Sequence, residues 1–589
     1  MTPPAPPAHL NPTAIAAAHR ALVSKALAEF SHERLLRPTA DQDGYQVTTS
    51  AGCYRFRARR YALDHWLIDQ DSLTRTIAGA PAPLDAQDLI IELADTLGIP
   101  PPMLGTYLEE ISATLASAAW KHHHQRHRSA DLVTADFQTI EAAMTEGHPG
   151  FVANSGRIGF GLSDQLRYAP EAGEPVPLGW LAVRREHSTF TAGRGVAEAD
   201  LYSAELGPAQ LSAFAQRLRD LDLSPADYRY LPVHPWQWEH KVAITFAPEL
   251  ARRAIVPVGH GPDRYQAQQS IRTFFNLDHP ERHYVKTALS IQNMGFLRGL
   301  SPAYMRATPP INDWVADQLT GDDTLRECGF EILREVATVG YTGDAYHRAG
   351  PVSPYQRMLA ALWRESPVPK IEPGQRLATM ASLLHRDQDG AHLVTALIAA
   401  ADVSAAQWVA RYLHAYLRPL LHCLLRHDLA FMPHGENLIL VLDGPMPVRV
   451  FMKDIGEEVA VLDDRPLPAA VGRIRTPADD TLRALAIFTD VFDGFLRFLA
   501  GILDHDQVLP EAEFWRLVAE CIRRHGADHP ELSDRLALFR STFPHSCLNR
   551  MQLRNTLQMV DLADQAGSLI FAGEQANPIA AYAELGQRV

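Results

Sequence analysis

Three textures alternate along the chain. Through AAAHRALVSKALAEF (16–30) and YLEEISATLASAAWKHHHQRHR (107–128) apolar residues return every three or four positions, which is the spacing of one helix face, so residues from about 13 to 140 are predicted to be mostly helical. Between these two stretches, YQVTTSAGCYRFRARRY (45–61) reads as a pair of strands. From about residue 141 the pattern changes to short strand-type runs broken by Gly and Pro: RIGFGL, GWLAVRRE, YRYLPVHPWQW, AIVPVG, QSIRTFF and HYVKTALSI. Helical spacing returns from about 355, around ESPVPKIEPGQR (365–376), whose three prolines and one glycine mark a linker. The last third is helix-rich and contains one hairpin. These shifts divide the chain into three subdomains, 1–140, 141–353 and 354–589, of mixed α+β character.

Composition narrows the class. With 589 residues, 46% of them hydrophobic and 21% charged, the chain is long and apolar enough for a large folded protein. A net charge of −14 argues against an extended nucleic-acid or anionic-membrane partner, either of which needs a positive contact face. The five cysteines are far apart in sequence and form no CxxC, so neither a disulfide framework nor a cysteine-ligated metal centre is expected. No basic segment leads an unbroken apolar stretch at the N-terminus, and LIIELADTLGI and FDGFLRFLAGIL fall short of the roughly 20 residues of a membrane span. A cytoplasmic protein is the expectation.

Three constellations carry candidate chemistry. GHPGFVANSGRIGFG (Gly147–Gly161) has the glycine density of a loop that turns tightly or approaches a ligand; His148, Asn154 and Arg157 are its anion-binding candidates, although an ordinary Gly-rich turn fits equally. In QSIRTFFNLDHPERHYVKTALSIQNMGFLRG (Gln269–Gly299), strand alternation would put Ser270 and Arg272 on one face with Thr273 at its edge, and Lys286 and Arg298 follow. Hydroxyls beside three cations suit a polyphosphate whose charge is spread over several oxygens, and no GxxxxGK[ST] loop is present. In FMPHGENLILVLDGPMPVRVFMKDIGEE (Phe431–Glu458), LILVL and VRVFMK flank DGPMP as a hairpin. Folding it brings Glu436, Asn437 and Asp454 together as hard oxygen ligands of the kind Mg²⁺ accepts. Two weaker features are YLPVHPWQWEHK, where His234 and Trp236 would share a strand face, and KHHHQRHR, where His123 and His127 stand at i and i+4; packing and a solvated helix end account for them.

The order and wording of these motifs resemble one family. GHP leading to GRIGF, then LPVHPWQW, SIRT, and HGEN with a hairpin to KDIGEE are the signatures of the NRPS-independent siderophore (NIS) synthetases, the IucA/IucC family, in the family's order. Members that activate citrate usually carry a Lys in the GHP loop. GHPGFVANSGRIGFG, KTALSIQNMGFLRGLSPAYM and HGENLILVLDG look instead like the type C branch, which includes synthetases of desferrioxamine, bisucaberin, putrebactin and alcaligin. The resemblance implies a cupped-hand fold with a helical thumb, strand-rich fingers and a kinase-like, FhuF-related palm, in a homodimer. It implies ATP with Mg²⁺ as cofactor, adenylation of a hydroxamate-bearing succinyl monoamide, and amide formation with release of AMP and pyrophosphate. By resemblance Ser270, Arg272, Thr273 and Lys286 hold phosphates, and His148, Arg298 and Lys286 act at the reacting centre. Glu436, Asp454 and Asn437 face the metal; His434 and Asn437 contact nucleotide, as do Asn154 and Arg157 from the loop that departs from the citrate-type wording. The FhuF reductases use paired cysteines near the C-terminus, and only the isolated Cys521 and Cys547 stand there, so that role is not expected.

Charge is distributed to match. Residues 251–300 hold seven Lys+Arg against three acids, whereas residues 434–458 hold five acids against two cations, so a small polyanion such as Mg-ATP fits between them. The competing readings are a citrate- or other carboxylate-activating NIS synthetase, a kinase-like phosphotransferase, and a non-catalytic siderophore-binding protein.

Overall fold

A computed structural model describes residues 7–124, 127–350, 353–533, 535–554 and 569–583. The chain enters through helix Pro12–His32, whose first turn is capped by the Asn11 side chain accepting the Ala14 N–H (3.0 Å). It then forms a five-stranded antiparallel meander, Thr39–Asp41, Gly44–Thr48, Gly52–Phe56, Thr74–Ile77 and Ala80–Ala82, with a separate ribbon of Ala58–Tyr61 and His65–Ile68. The N-terminal segment is therefore less helical than its periodicity suggests. Helices Ala86–Leu97 and Pro101–His124 pack with the first helix and the meander around Leu27, Phe30, Tyr54, Leu89 and Ile111. Because the second of these helices ends at His124, His123 and His127 share no helix face; Gln125 and Arg126 lie outside the described residues.

An eight-stranded antiparallel sheet forms the centre of the molecule. Its spatial order is Tyr228–Val233, Val176–Arg184, Ile255–Ala267, Thr273–Asn276, Tyr284–Thr287, Ala360–Arg364, Glu335–Tyr341 and Ser188–Ala192. Strand Ala360–Arg364 lies beyond residue 353 yet sits inside this sheet, and the Pro-rich stretch that follows leads to the next one. Three local expectations are corrected. RIGFGL makes only a single bridge at Ile158 before helix Leu162–Tyr168. The strand of LPVHPWQW stops at Val233, because Pro235 opens a helical turn that His234 caps by accepting the Trp236 N–H. Strand pairing in QSIRTFF starts only at Thr273: Ile271 takes a left-handed φ of 61°, a conformation costly for a β-branched residue, so Ser270 and Arg272 occupy a turn.

The hairpin is present. Strands Leu438–Asp443 and Met446–Met452 pair across a turn at Gly444, flanked by Gln375–Thr379 and the parallel strand Phe330–Ile332. Behind it runs helix Ala405–His427, opened by a Ser404/Gln407 capping box and buried among Trp408, Tyr412, Tyr416 and Leu420. Among the described residues no single helix is long and apolar enough to cross a membrane; the apolar bent pair Leu393–Ala400 and Ala405–His427 supplies the core of this last subdomain.

Candidate active site

Strand register sets the first wall of the site. Thr273 lies opposite Lys286, and Tyr284, two residues before Lys286, lies opposite Arg364. Directly paired residues share a face and alternate residues return to it, so Thr273, Lys286 and Arg364 project from one side of the sheet. The hairpin presents its open end to that side. Leu438 pairs with Met452, and the Lys453 N–H donates to the Asn437 carbonyl (3.0 Å), so HGEN and KDIGEE emerge together.

Opposite charges meet between the two walls. The Lys286 ammonium donates to Asp454 Oδ1 and to Glu457 Oε2, each at 2.8 Å, and is almost fully buried. Arg364 bonds Asp454 and also Glu335 Oε1 (3.2 Å). Arg272 stands 3.7 Å from Glu457 and donates to the Gly299 carbonyl (2.7 Å). Burial alone would raise Asp454, but Arg364, Lys286 and Lys453 hold it well below the ordinary carboxylate range. Its neighbour Glu458 moves the other way: burial, then Asp454 and Glu457, push it well above that range, while the Asn437 amide donates to it. Asp454 itself has a left-handed φ of 62°, held by the short helix Ile455–Glu458 that follows and by Glu335 accepting the Gly456 N–H (2.9 Å).

A third wall comes from the GHP loop. The His148 and His434 rings lie 5.1 Å apart, and burial keeps both neutral, His434 down to about 4 and His148 well below its ordinary value. Gly147 lies close against the Glu436 carboxylate, so a methyl group added to it would make that side chain shift. Burial, followed by the charge of Arg272, lowers Arg298 to about 10, and its Nη2 donates to the Asn293 carbonyl (3.0 Å).

Buried polar atoms in these walls that make no hydrogen bond among the described residues include Ser270 Oγ, Arg272 Nε, Arg298 Nε, Arg364 Nε, His148 Nδ1 and His434 Nδ1. Buried polar atoms of this kind are costly unless something pairs with them. Together with Lys286 they suit a polyanion, and Asp454, Glu457, Glu458 and Glu436 supply the hard oxygens a magnesium ion takes.

The structure thus brings Ser270, Arg272, Thr273, Lys286, Arg298, His148, His434, Glu436, Asn437 and Asp454 to one place, and leaves two predicted residues out. Arg157 makes a bidentate pair with Glu171 (2.6 and 2.9 Å), both side chains being buried. Against burial, Arg157 and Lys121 hold Glu171 down to about 2, so this guanidinium is already committed within the fold. Asn154 donates to Glu146 (2.9 Å), which also holds Lys25 (2.6 Å). Four groups escaped the sequence reading of the site: Arg364, Glu335, Glu457 and Glu458. The last two stand three and four residues after Asp454 in KDIGEE, and Arg364 is a lone cation ending the apolar run LAALW; both were signals.

The family model "IucA / IucC family" matches residues 136–385, and "Ferric iron reductase FhuF-like transporter" matches 406–561. A putrebactin synthase from Shewanella sp. (strain MR-4) is 50% identical over 98% of this chain and 93% of its own. The solved structure of aerobactin synthetase IucC from a hypervirulent pathotype of Klebsiella pneumoniae superposes with a TM-score of 0.84 at 28% identity, over 97% of this chain and 99% of that one. The ATP-bound aerobactin synthetase IucA from the same source gives 0.75 at 17% identity, over 95% and 99%. Its likeness is one of fold. Among the described residues the groups able to hold a metal ion by their His, Cys, Asp or Glu side chains contain no cysteine.

Proposed function

Because the chain belongs to the IucA/IucC family of NIS synthetases, an ATP-dependent, amide-forming group of ligases in siderophore biosynthesis, we propose that it adenylates the carboxylate of an N-hydroxy-N-succinyl-diamine and joins it to an amine, giving a macrocyclic hydroxamate. The supporting observation is the set of orphaned buried donors, Ser270 Oγ, Arg272 Nε and Arg298 Nε, beside a lysine tied to two carboxylates. That set is built to exchange partners.

Asp454, Glu436 and Asn437, with Glu457 beside them, would hold magnesium, which would supply positive charge to screen the phosphates. Lys286 faces the triphosphate with Ser270, Arg272 and Thr273. Arg298 and the neutral His148 lie where the carboxylate meets the α-phosphate and stabilise charge that builds on both. A carboxylate oxygen bonds to the α-phosphorus as pyrophosphate leaves. The amine nitrogen next bonds to the acyl carbon, the bond to AMP breaks, and one amine proton is released. His434 contacts the nucleotide. Binding energy here is used mainly to bring two anions together, which accounts for the cation-rich sheet face. The enzyme works as a homodimer in the cytoplasm, with the fingers, residues 141–353, and the palm, residues 354–589, meeting at the site and residues 1–140 forming the thumb.

Incubation with ATP, Mg²⁺ and N-hydroxy-N-succinylputrescine or its cadaverine homologue tests the reading. AMP, pyrophosphate and cyclic products by mass are expected. ADP as the product would indicate a phosphotransferase, and turnover with citrate alone would move the chain to the citrate-activating branch.

A further inference from the structure

Beyond the His148–His434 wall, on the side away from Lys286, lies a cavity of about 110 Å³, several times what one water molecule requires. It is lined by four carboxyl groups, Glu29, Glu33, Asp490 and Asp493, against Arg497 and His32, an imidazole that, against burial and the charge of Arg497, is pushed up by Asp493 and Glu29. Three of these acids are already engaged. Glu29 is paired with Arg497 (2.7 Å), Glu33 accepts backbone and side-chain N–H groups of Asn549 (2.6 and 2.9 Å), and Asp493 Oδ2 faces His32 (3.2 Å). Asp490 makes no hydrogen bond or ion pair to any described residue, and burial pushes its carboxyl up to about 7.

Neutral groups in the same cavity point the same way. Ser546 Oγ and His148 Nδ1, both in residues more than nine-tenths buried, and Thr489 Oγ1 have no hydrogen-bond partner among the described residues. The wall carrying Thr489, Asp490 and Asp493 is Phe488–Leu496, nine residues of π-helix, a geometry rare at this length and concentrated at functional sites. The cavity thus offers a carboxyl unpaired among the described residues, more carboxyl groups than cations and hydroxyl acceptors, with the Arg497 guanidinium already held by Glu29. It adjoins a cation-lined site through two shared histidines.

We propose that this cavity binds a primary alkylammonium group, so that substrate is held with its carboxylate at Arg298 and an ammonium at Asp490. The assignment rests on the ligase reading above and adds to it the acidic half of the substrate site. The ammonium belongs either to the far end of the molecule being activated or to the amine about to attack, and the chemistry that recognises it is the same.

The test uses the full chain and an isosteric variant, Asp490→Asn. Pyrophosphate release is followed with hydroxylamine as the acyl acceptor, using an N-hydroxy-N-succinyl-diamine and its N-acetylated form, and condensation is followed separately by mass. A rise of about tenfold or more in the KM of the free-amine donor, with little change for the acetylated one, supports the proposal and identifies the donor's own ammonium. A rise seen only in condensation identifies the attacking amine. Equal KM values for wild type and variant with every substrate would overturn the proposal, as would a change confined to ATP. Independently of any variant, butylammonium should inhibit wild type competitively against the free-amine substrate, whereas 1-butanol should not; equal inhibition by both would also overturn it. If wild type releases no pyrophosphate with any carboxylate, the ligase reading itself fails, which is a different result.

Discussion

Replacing Lys286 with Met removes the ammonium while keeping most of the side-chain volume, and its effects on stability and on rate separate cleanly. In the free protein the change leaves Asp454 Oδ1 and Glu457 Oε2 without a donor that sat 2.8 Å from each. Arg364 remains on Asp454, and Arg272 remains 3.7 Å from Glu457, so the loss lies at the low end of that for a broken buried pair, about 3 kcal/mol. With an unfolding entropy of about 2.1 cal/mol/K per residue, 589 residues give about 1.2 kcal/mol/K, and the melting temperature falls by about 2 to 3 °C. The pH dependence has a definite sign. Lys286, raised by its carboxylates against burial, contributes stability that is lost only as pH rises above the ordinary lysine range. Asp454, held low, contributes stability above about pH 4 that is lost as pH falls through its folded value. The gap between wild type and variant is therefore flat from about pH 6 to 9 and closes in acid. Loss of one charged donor to the phosphates lowers kcat/KM by about 10²- to 10³-fold. Calorimetry across pH and coupled pyrophosphate release measure the two effects. Near-normal turnover in a variant that melts 2 to 3 °C lower would refute the phosphate role while leaving the ion-pair analysis intact.

Other outcomes follow from the same contacts. Arg157→Met breaks the buried pair with Glu171 and should cost about 3 to 5 kcal/mol without changing the KM for ATP; a selective rise in that KM would return Arg157 to the nucleotide site. Asp490→Asn should melt higher than wild type above pH 7 and equal to it near pH 4: a carboxyl raised to about 7 contributes stability below its ordinary value that is lost as pH rises through 7. A variant that melts no higher at pH 8 would show that burial does not penalise this carboxylate. Gly147→Ala drives a methyl group into Glu436 and should lower turnover by about tenfold or more with the fold intact, checked by circular dichroism and pyrophosphate release.

How much of the site was legible before folding depends on the kind of information each residue carries. Lys286 and the hairpin ends were readable because strand alternation and a Gly-Pro turn are local, and the structure bears them out in Thr273 opposite Lys286 and Leu438 opposite Met452. Ser270 and Arg272 come beside Lys286 by a different route from the one alternation predicted. Alternation assumed an extended backbone, and a left-handed Ile271 replaced it, a conformation that tertiary contacts impose on a residue with no local preference for it. The meander at 39–82 was under-read because its outer strands are only three residues long, too short to display a period.

By itself the sequence determined the order of motifs, the family they belong to, and the division of charge into a basic strand segment and an acidic hairpin. Tertiary structure alone decided which charge answers which. Lys286 finds Asp454 and Glu457 about 170 residues away, Arg157 is spent on Glu171, and Asp490 is left with no partner among the described residues. The physical reason is desolvation: a charged side chain in a sequence is only a charge, and whether it neutralises a neighbour or waits for a ligand depends on what shares its buried surroundings once water has been removed.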